Sequence, residues 1–262
     1  MHYFIVDAFT DQIFSGNPAG VCVMDTWPEI ALMQKIAAEN NLPETAFVVK
    51  TNHHYHLRWF TPTMEVPLCG HGTLATAYVL ANYFDPTATQ FEFTTEKSGS
   101  LHVEKKGELF ELNFPIREQT PTDITETMQL AVNAPIKCAY HGYNLMLELA
   151  DEQTVQTLQP NLEQILNLTD YHGVIVTAKG DCCDFISRFF APVTGSPEDP
   201  VTGSTHTVLI PFWAQRLGKN EMLARQLSAR GGTLHCKIAG DRVYIAGTAR
   251  IYLKGTIQLS SN

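Results

Sequence analysis

Short runs rich in Val, Phe, Tyr and Thr, at residues 2–9, 20–24, 45–50, 55–61, 90–95, 99–105 and 108–114, alternate with polar breaks and predict β-strands. Two runs depart from this pattern. PEIALMQKIAAEN opens with Pro28 at a first helical position, and GTLATAYVLANYF follows Gly70-His71 with Ala and Leu until the stop DPT, so both predict helices. The second is apolar almost all round, which predicts a helix enclosed by protein rather than lying on a surface. From about residue 135 the order returns. Strands are predicted near 135–140, 143–149, 172–178, 184–190, 226–230, 233–239 and 242–249, with helices near 160–168 and from about 204 to 217.

The repetition reaches individual residues. Arg58-Trp-Phe-Thr-Pro recurs as Arg188-Phe-Phe-Ala-Pro, and EVPLCGHGT (65–73) recurs as EDPVTGSTH (198–206), each leading into a helical run. Two duplicated domains are therefore expected, 1–118 and 119–248, with the linker in EQTPTDITETMQLAVN. A last strand, about 249–262, is able to pair with either half and so to cross back to the first. Two similar domains facing each other would form a cleft to which each contributes the same kind of loop.

Composition narrows the function. At 262 residues and 44% hydrophobic content, the chain has ample core for one large domain or two moderate ones. A net charge of -9 with no block of Lys and Arg argues against nucleic acid as a partner and favours a small ligand. The apolar runs are broken well short of a membrane span, and MHYFIVDAFT reads as a strand rather than a signal peptide, which gives a cytoplasmic expectation. The six cysteines form no CxxC pair and are expected to be reduced, most of them small buried residues.

Candidate chemistry gathers in the loops. Gly70-His71-Gly72 and Gly203-Ser204-Thr205 each deliver glycine to the start of a buried helix, where unpaired N–H groups and the positive end of the helix dipole favour an anion; a small carboxylate would be held there. Taken singly, either loop is a tight turn with Ser204 as a helix cap. Asn17, in FSGNPAGV, offers a fixed amide, although Asn, Pro and Gly are ordinary turn formers. Glu44 stands directly before an apolar strand, where desolvation would raise its carboxyl pKa toward the range useful for proton transfer. Asp199 lies in the duplicated loop. Cys69, at a helix start, is expected to have a lowered pKa, but Thr202 occupies the corresponding position of the second half, so no symmetrical pair of thiols exists. The run Asn52-His53-His54-Tyr55-His56 places His54 and His56 on one strand face without further ligands, so no metal is expected. No nucleotide-binding loop or cofactor lysine context is present, and the chemistry is expected to need no cofactor.

The stretches VDAFTDQIFSGNPAGV, NLPETAFV, RWFTPTMEVPLCGHGTLA, RFFAPVTGSPEDPVTGSTH, ARQLSARGG and GDRVYIAG span almost the whole chain, which thereby resembles the PhzF-like proteins of phenazine biosynthesis and, more distantly, the diaminopimelate epimerase fold. The resemblance implies an α+β protein of two pseudo-symmetric domains, each a curved antiparallel sheet around a central helix, with 73–84 and 204–217 as those helices. It implies a cofactor-independent isomerase similar to dihydro-3-hydroxyanthranilate isomerase, and a homodimer. By motif, the acid/base glutamate matches Glu44, the histidine His71, and the aspartate and serine Asp199 and Ser204. The expected mechanism has Glu44 move a proton between carbons of a small carboxylate-bearing substrate, with His71 and Asp199 stabilising charge and with Asn17, Cys69, Gly70, Gly72, Gly203 and Ser204 binding substrate. The epimerase branch works with two cysteines, of which only Cys69 has a counterpart here. A thiol-dependent racemase using Cys69, and a non-catalytic small-molecule binding protein, are the alternatives.

Overall fold

A computed structural model describes residues 1–51, 54–194 and 196–259, so Asn52 and His53 of the histidine run and positions 260–262 of the expected last strand lie outside the described residues. The chain divides into two compact units, Met1–Asn113 with Ala246–Asn262, and Phe114–Ile245. The passage from one to the other falls within a strand, a few residues before the expected boundary at 118.

The first unit runs β1 (His2–Ala8), β2 (Asn17–Met24), α1 (Ile30–Asn40), β3 (Glu44–Lys50), β4 (Tyr55–Phe60), β5 (Glu65–Val66), α2 (Gly70–Tyr83), β6 (Gln90–Thr95), β7 (Gly99–Lys106) and β8 (Leu109–Pro115). The second runs β9 (Thr120–Thr122), α3 (Glu126–Val132), β10 (Ile136–His141), β11 (Leu145–Leu149), α4 (Glu152–Thr157), α5 (Leu162–Leu166), β12 (Val174–Lys179), β13 (Phe185–Ala191), β14 (Ser196–Asp199), a 3-10 turn (Gly203–Thr205), α6 (His206–Leu217), β15 (Glu221–Gln226), β16 (Gly232–Ala239) and β17 (Arg242–Gly247). The chain then returns to the first unit as β18 (Ala249–Thr256), which pairs antiparallel with β1, while β2 pairs with the other edge of β1.

The sheets are mixed, not antiparallel as expected. β2 and β3 are parallel, as are β4 and β6; the same relation recurs at β11 and β12 and at β13 and β15. Parallel neighbours cannot be joined by a tight turn and need a crossover, usually helical. Each crossover carries one: α1, α2, the α4–α5 pair and α6 in turn.

Both central helices are deeply packed. In α2, ten of the fourteen residues are buried, including the polar Thr73 and Thr76, whose hydroxyls donate back to the carbonyls of Cys69 (2.6 Å) and Gly72 (2.7 Å) and so need no water. In α6, Val208, Leu209, Ile210 and Trp213 are buried, and the indole N–H of Trp213 donates to Thr177 Oγ1 at 2.9 Å. Below α1 lies a cluster of Tyr3, Cys22, Met33, Phe47 and Phe60; α3 and α5 cover the apolar residues of β11 and β12.

Three further expectations are corrected. The expected linker is structured: Thr125 caps α3 by accepting from the Met128 N–H at 3.3 Å, and Met128, Ala131 and Val132 enter the second core. The strand expected at 226–230 is Glu221–Gln226, with Met222, Ala224 and Gln226 buried in period-two alternation, whereas Ser228 turns the chain by accepting from the Gly231 N–H at 3.1 Å. Of the cysteines, all free, only Cys22, Cys69 and Cys236 are buried; Cys182 and Cys183 sit in the polar turn between β12 and β13, and Cys138 donates to Glu148 Oε2 at 3.1 Å.

Candidate active site

Six of the residues singled out in the sequence converge in the first unit. The loop between β1 and β2 is tied by the Asp7 carboxylate, which accepts from the Phe14 N–H at 2.9 Å. It closes through Gly16, whose φ of +64° and 2.2 Å approach of a Cβ to the Ala8 carbonyl leave no room for a side chain. This delivers Asn17, fully buried, at the start of β2. Because β2 and β3 are parallel with Ala19 opposite Glu44, the first residues of both strands lie along one edge of the sheet.

The third contribution comes from the start of α2. Cys69 caps the helix, its sulfur accepting from the Gly72 N–H at 3.2 Å. Gly72 must be glycine, since a Cβ there would lie 2.9 Å from Cys69 Sγ and 3.0 Å from Trp59 Cδ1. His71, in the first turn, then meets all three neighbours. Its Nε2 lies 3.1 Å from Glu44 Oε2, its Nδ1 3.2 Å from Asn17 Nδ2, and Cys69 Sγ lies 3.6 Å from Nδ1 and 3.9 Å from Nε2. His71 is buried to 6% side-chain exposure whereas Glu44 retains 21%, so the carboxylate is the side of the cluster that faces solvent.

Charge at this cluster follows from its packing. Burial alone would lower the His71 pKa, but the Cys69 sulfur and the Glu44 carboxylate oppose it by charge and hydrogen bonding, and the imidazole is held well above its ordinary value. The expected lowering at Cys69 is reversed: burial, followed by the Glu44 charge, raises the thiol above its ordinary value despite His71 and the Gly72 N–H. A helix start lowers a thiol pKa where solvent also reaches it; here the desolvation cost is larger.

In the second unit the matched loop is built differently. Asp199 ends β14, and its carboxylate accepts a hydrogen bond from the Thr202 hydroxyl. Gln226, which the sequence reading did not single out, fixes this loop: its Nε2 donates to the Asp199 carbonyl at 2.8 Å, and its Oε1 accepts from the Thr202 N–H at 2.8 Å. Gly203 is buried, and the carbonyl of Ser204 accepts from the Thr207 hydroxyl at 2.7 Å; Ser204 lies inside the 3-10 turn, and the cap position of α6 is held by Thr205 instead. His54 and His56 stack at 5.3 Å between ring centroids.

The duplicated Arg and Glu are structural. Arg58 binds Glu65 through Nε (2.7 Å) and Nη2 (2.8 Å), and Arg188 binds Glu198 through Nε (2.7 Å) and Nη2 (2.9 Å), so each repeat anchors its loop by the same two-pronged pair. His206, at the position of Thr73 in the first repeat, donates from Nδ1 to the Thr202 carbonyl at 2.9 Å, as Thr73 does to Cys69. Complete burial pushes its pKa down to about 4. The unfolded chain therefore takes up the proton first, near pH 6.5, and stability falls with pH between there and about 4, by about 3 kcal/mol in all. Unfolding measured across that window is expected to show this slope in the wild type and lose it in His206→Thr. Equal slopes would refute it. His71 acts with the opposite sign: its contribution is full below about pH 6.5 and is lost as pH rises through its elevated value.

Comparison with known proteins matches residues 6–255 to the family of phenazine biosynthesis-like proteins. The chain belongs to that family. An uncharacterized isomerase of Pseudomonas aeruginosa is 45% identical over 260 residues, covering 98% of each chain. A phenazine biosynthesis protein of the PhzF family from Enterococcus faecalis superposes with a TM-score of 0.97 at 46% identity, over 98% of this chain and 99% of the other. A predicted epimerase from P. aeruginosa, 17% identical with a TM-score of 0.75 over 99% of each chain, shares the fold. The α+β architecture of this PhzF-like chain is thus the diaminopimelate epimerase-like one. No helix among the described residues is long and apolar enough to cross a membrane.

Proposed function

We propose that the protein is an isomerase that moves a proton between two carbons of a small carboxylate-bearing substrate, with Glu44 as the acid/base and without a cofactor. One observation carries this reading: a partly exposed carboxylate, 3.1 Å from a buried imidazole, beside the first turn of a buried helix. The names of relatives at 45% identity, isomerases, point the same way. Substrate carboxylate binds the Gly70 and His71 N–H groups, which the helix itself leaves unpaired. Glu44 takes a proton from one carbon and returns it to another. His71, whose Nε2 lies 3.1 Å from Glu44 Oε2, positions that carboxyl and stabilises the enolate- or enamine-like charge that develops on the substrate. Asp199 and Ser204 keep the roles the resemblance implies, charge stabilisation and substrate binding. We also assign the protein a homodimeric state on that resemblance.

A second reading has a specific observation behind it: Cys69 Sγ stands 3.6 Å from His71 Nδ1, as a thiol base of a racemase would. Its raised pKa disfavours the thiolate that such chemistry needs. The test is proton NMR in deuterium oxide with small amino-, hydroxy- and cyclic carboxylates, dihydro-3-hydroxyanthranilate among them. Wild type is expected to place deuterium on a substrate carbon, and Cys69→Ser to retain this within about tenfold, the loss of one hydrogen-bonding neighbour. Abolition in Cys69→Ser alone would establish the thiol reading instead.

A further inference from the structure

The three groups that meet at His71 form a donor set of a different kind when viewed as ligands. Glu44, Cys69 and His71 each present one ligand atom, and those atoms all lie within 4.8 Å of one another. A tetrahedral zinc centre, with bonds of about 2.3 Å to sulfur and about 2.0–2.1 Å to nitrogen and oxygen, has ligand-to-ligand edges of roughly 3.3–3.6 Å. Two of the edges here are 3.1 Å, from Glu44 Oε2 to His71 Nε2, and 3.9 Å, from that nitrogen to Cys69 Sγ, and the third, from Glu44 to Cys69, lies within 4.8 Å, so the ion would draw the three side chains together.

We propose that Glu44, Cys69 and His71 bind a thiophilic divalent cation of the zinc type, and that the bound ion inhibits the enzyme. Thiolate with imidazole selects zinc or cobalt over magnesium or calcium, which favour all-oxygen sites. Three protein ligands leave a fourth position for water, on the Glu44 side that solvent reaches. The balance of the binding step is simple: the ion takes the place of the proton shared between His71 Nε2 and Glu44 Oε2 and of the thiol proton on Cys69, and both protons pass to solvent. With its lone pairs committed to the ion, Glu44 can no longer accept a proton from substrate. The inhibition therefore rests on the proposed function, whereas the binding does not.

Cobalt and zinc titrations of the intact protein separate the two. Co2+ is expected to give a thiolate-to-cobalt charge-transfer absorption at one equivalent, displaced by Zn2+ and lost in Cys69→Ser; His71→Asn is expected to weaken binding at least about tenfold. A band that survives Cys69→Ser arises from Cys138, Cys182 or Cys183 and overturns the site. X-ray absorption of zinc-loaded wild type needs no variant to fold. One sulfur with three nitrogen or oxygen neighbours supports the site; no sulfur, or two, refutes it. Saturating Zn2+ is then expected to stop deuterium incorporation at least about 100-fold, with recovery on adding a chelator. Exchange that persists with zinc bound by Cys69 and His71 overturns the inhibition and the role given to Glu44, while exchange that depends on Glu44 in a protein that shows no thiolate band overturns the metal site alone.

Discussion

Glu44→Gln is expected to slow deuterium incorporation into substrate by about 10²–10⁴-fold, the range for loss of a positioned acid/base. The amide is nearly isosteric and its oxygen can still accept from His71 Nε2 at the 3.1 Å seen for the carboxylate, so the arrangement of β3 against α2 survives. What is lost is proton affinity. An amide oxygen is far too weak a base to deprotonate carbon, and no other carboxylate contacts His71 in this unit among the described residues. Because the helix-start N–H groups are untouched, the loss is expected in kcat with KM nearly constant. Unchanged melting, together with an exchange rate within about threefold of wild type, would remove Glu44 from the chemistry.

The second large effect is on stability. Arg188→Ala is expected to cost about 3–5 kcal/mol, as removal of one member of a buried pair does. Arg188 is nearly buried, and besides its two bonds to Glu198 its Nη1 donates to the carbonyls of Val155 (3.1 Å) and Leu158 (2.8 Å) at the end of α4. Truncation thus takes the Arg188 donor from the Glu198 carboxylate and the Leu158 carbonyl, leaves the Val155 carbonyl with the Leu158 N–H alone, and removes the guanidinium from the face of Phe190. Arg58→Ala in the matching pair is expected to cost less, because Arg58 reaches Glu65 and the rings of Trp27 and Phe60 without the helix-end bonds. Denaturant unfolding of the two variants ranks them; a loss below about 1 kcal/mol for Arg188→Ala would place the pair with ordinary surface bridges.

These residues also show what a chain of amino acids discloses by itself. The enclosure of α2 was legible because no polar stripe interrupts Gly70–Tyr83, and Glu44, Asn17 and His71 were legible because each begins an element. Their convergence was not, since it depends on β2 and β3 pairing in parallel, and periodicity names a strand without naming its neighbour. β15 was missed because Glu, Met, Leu, Ala, Arg and Gln are all good helix formers, and only the alternation of buried positions overrides that preference. Gln226 at its end was missed for another reason. Its partners, Asp199 and Thr202, are remote in sequence, and a buried amide that holds a loop looks the same as an exposed one until the fold brings them together. The repeated Arg and Glu were visible as a pattern, but the pattern pointed to a shared anchor rather than to chemistry.

The route of the chain through the two units has a consequence for synthesis. β1 lies between β2 and β18, and the Ile257 N–H reaches back to the Met1 carbonyl at 3.0 Å. The sheet that carries Glu44 and Asn17 therefore waits, with one edge of β1 open, while the ribosome makes all of Phe114–Ile245. The second unit is contiguous and can fold as it emerges. The unit that bears the proton-transfer cluster is begun first and closed last, so a nascent chain stalled before Ala249 holds a finished partner and an unfinished site.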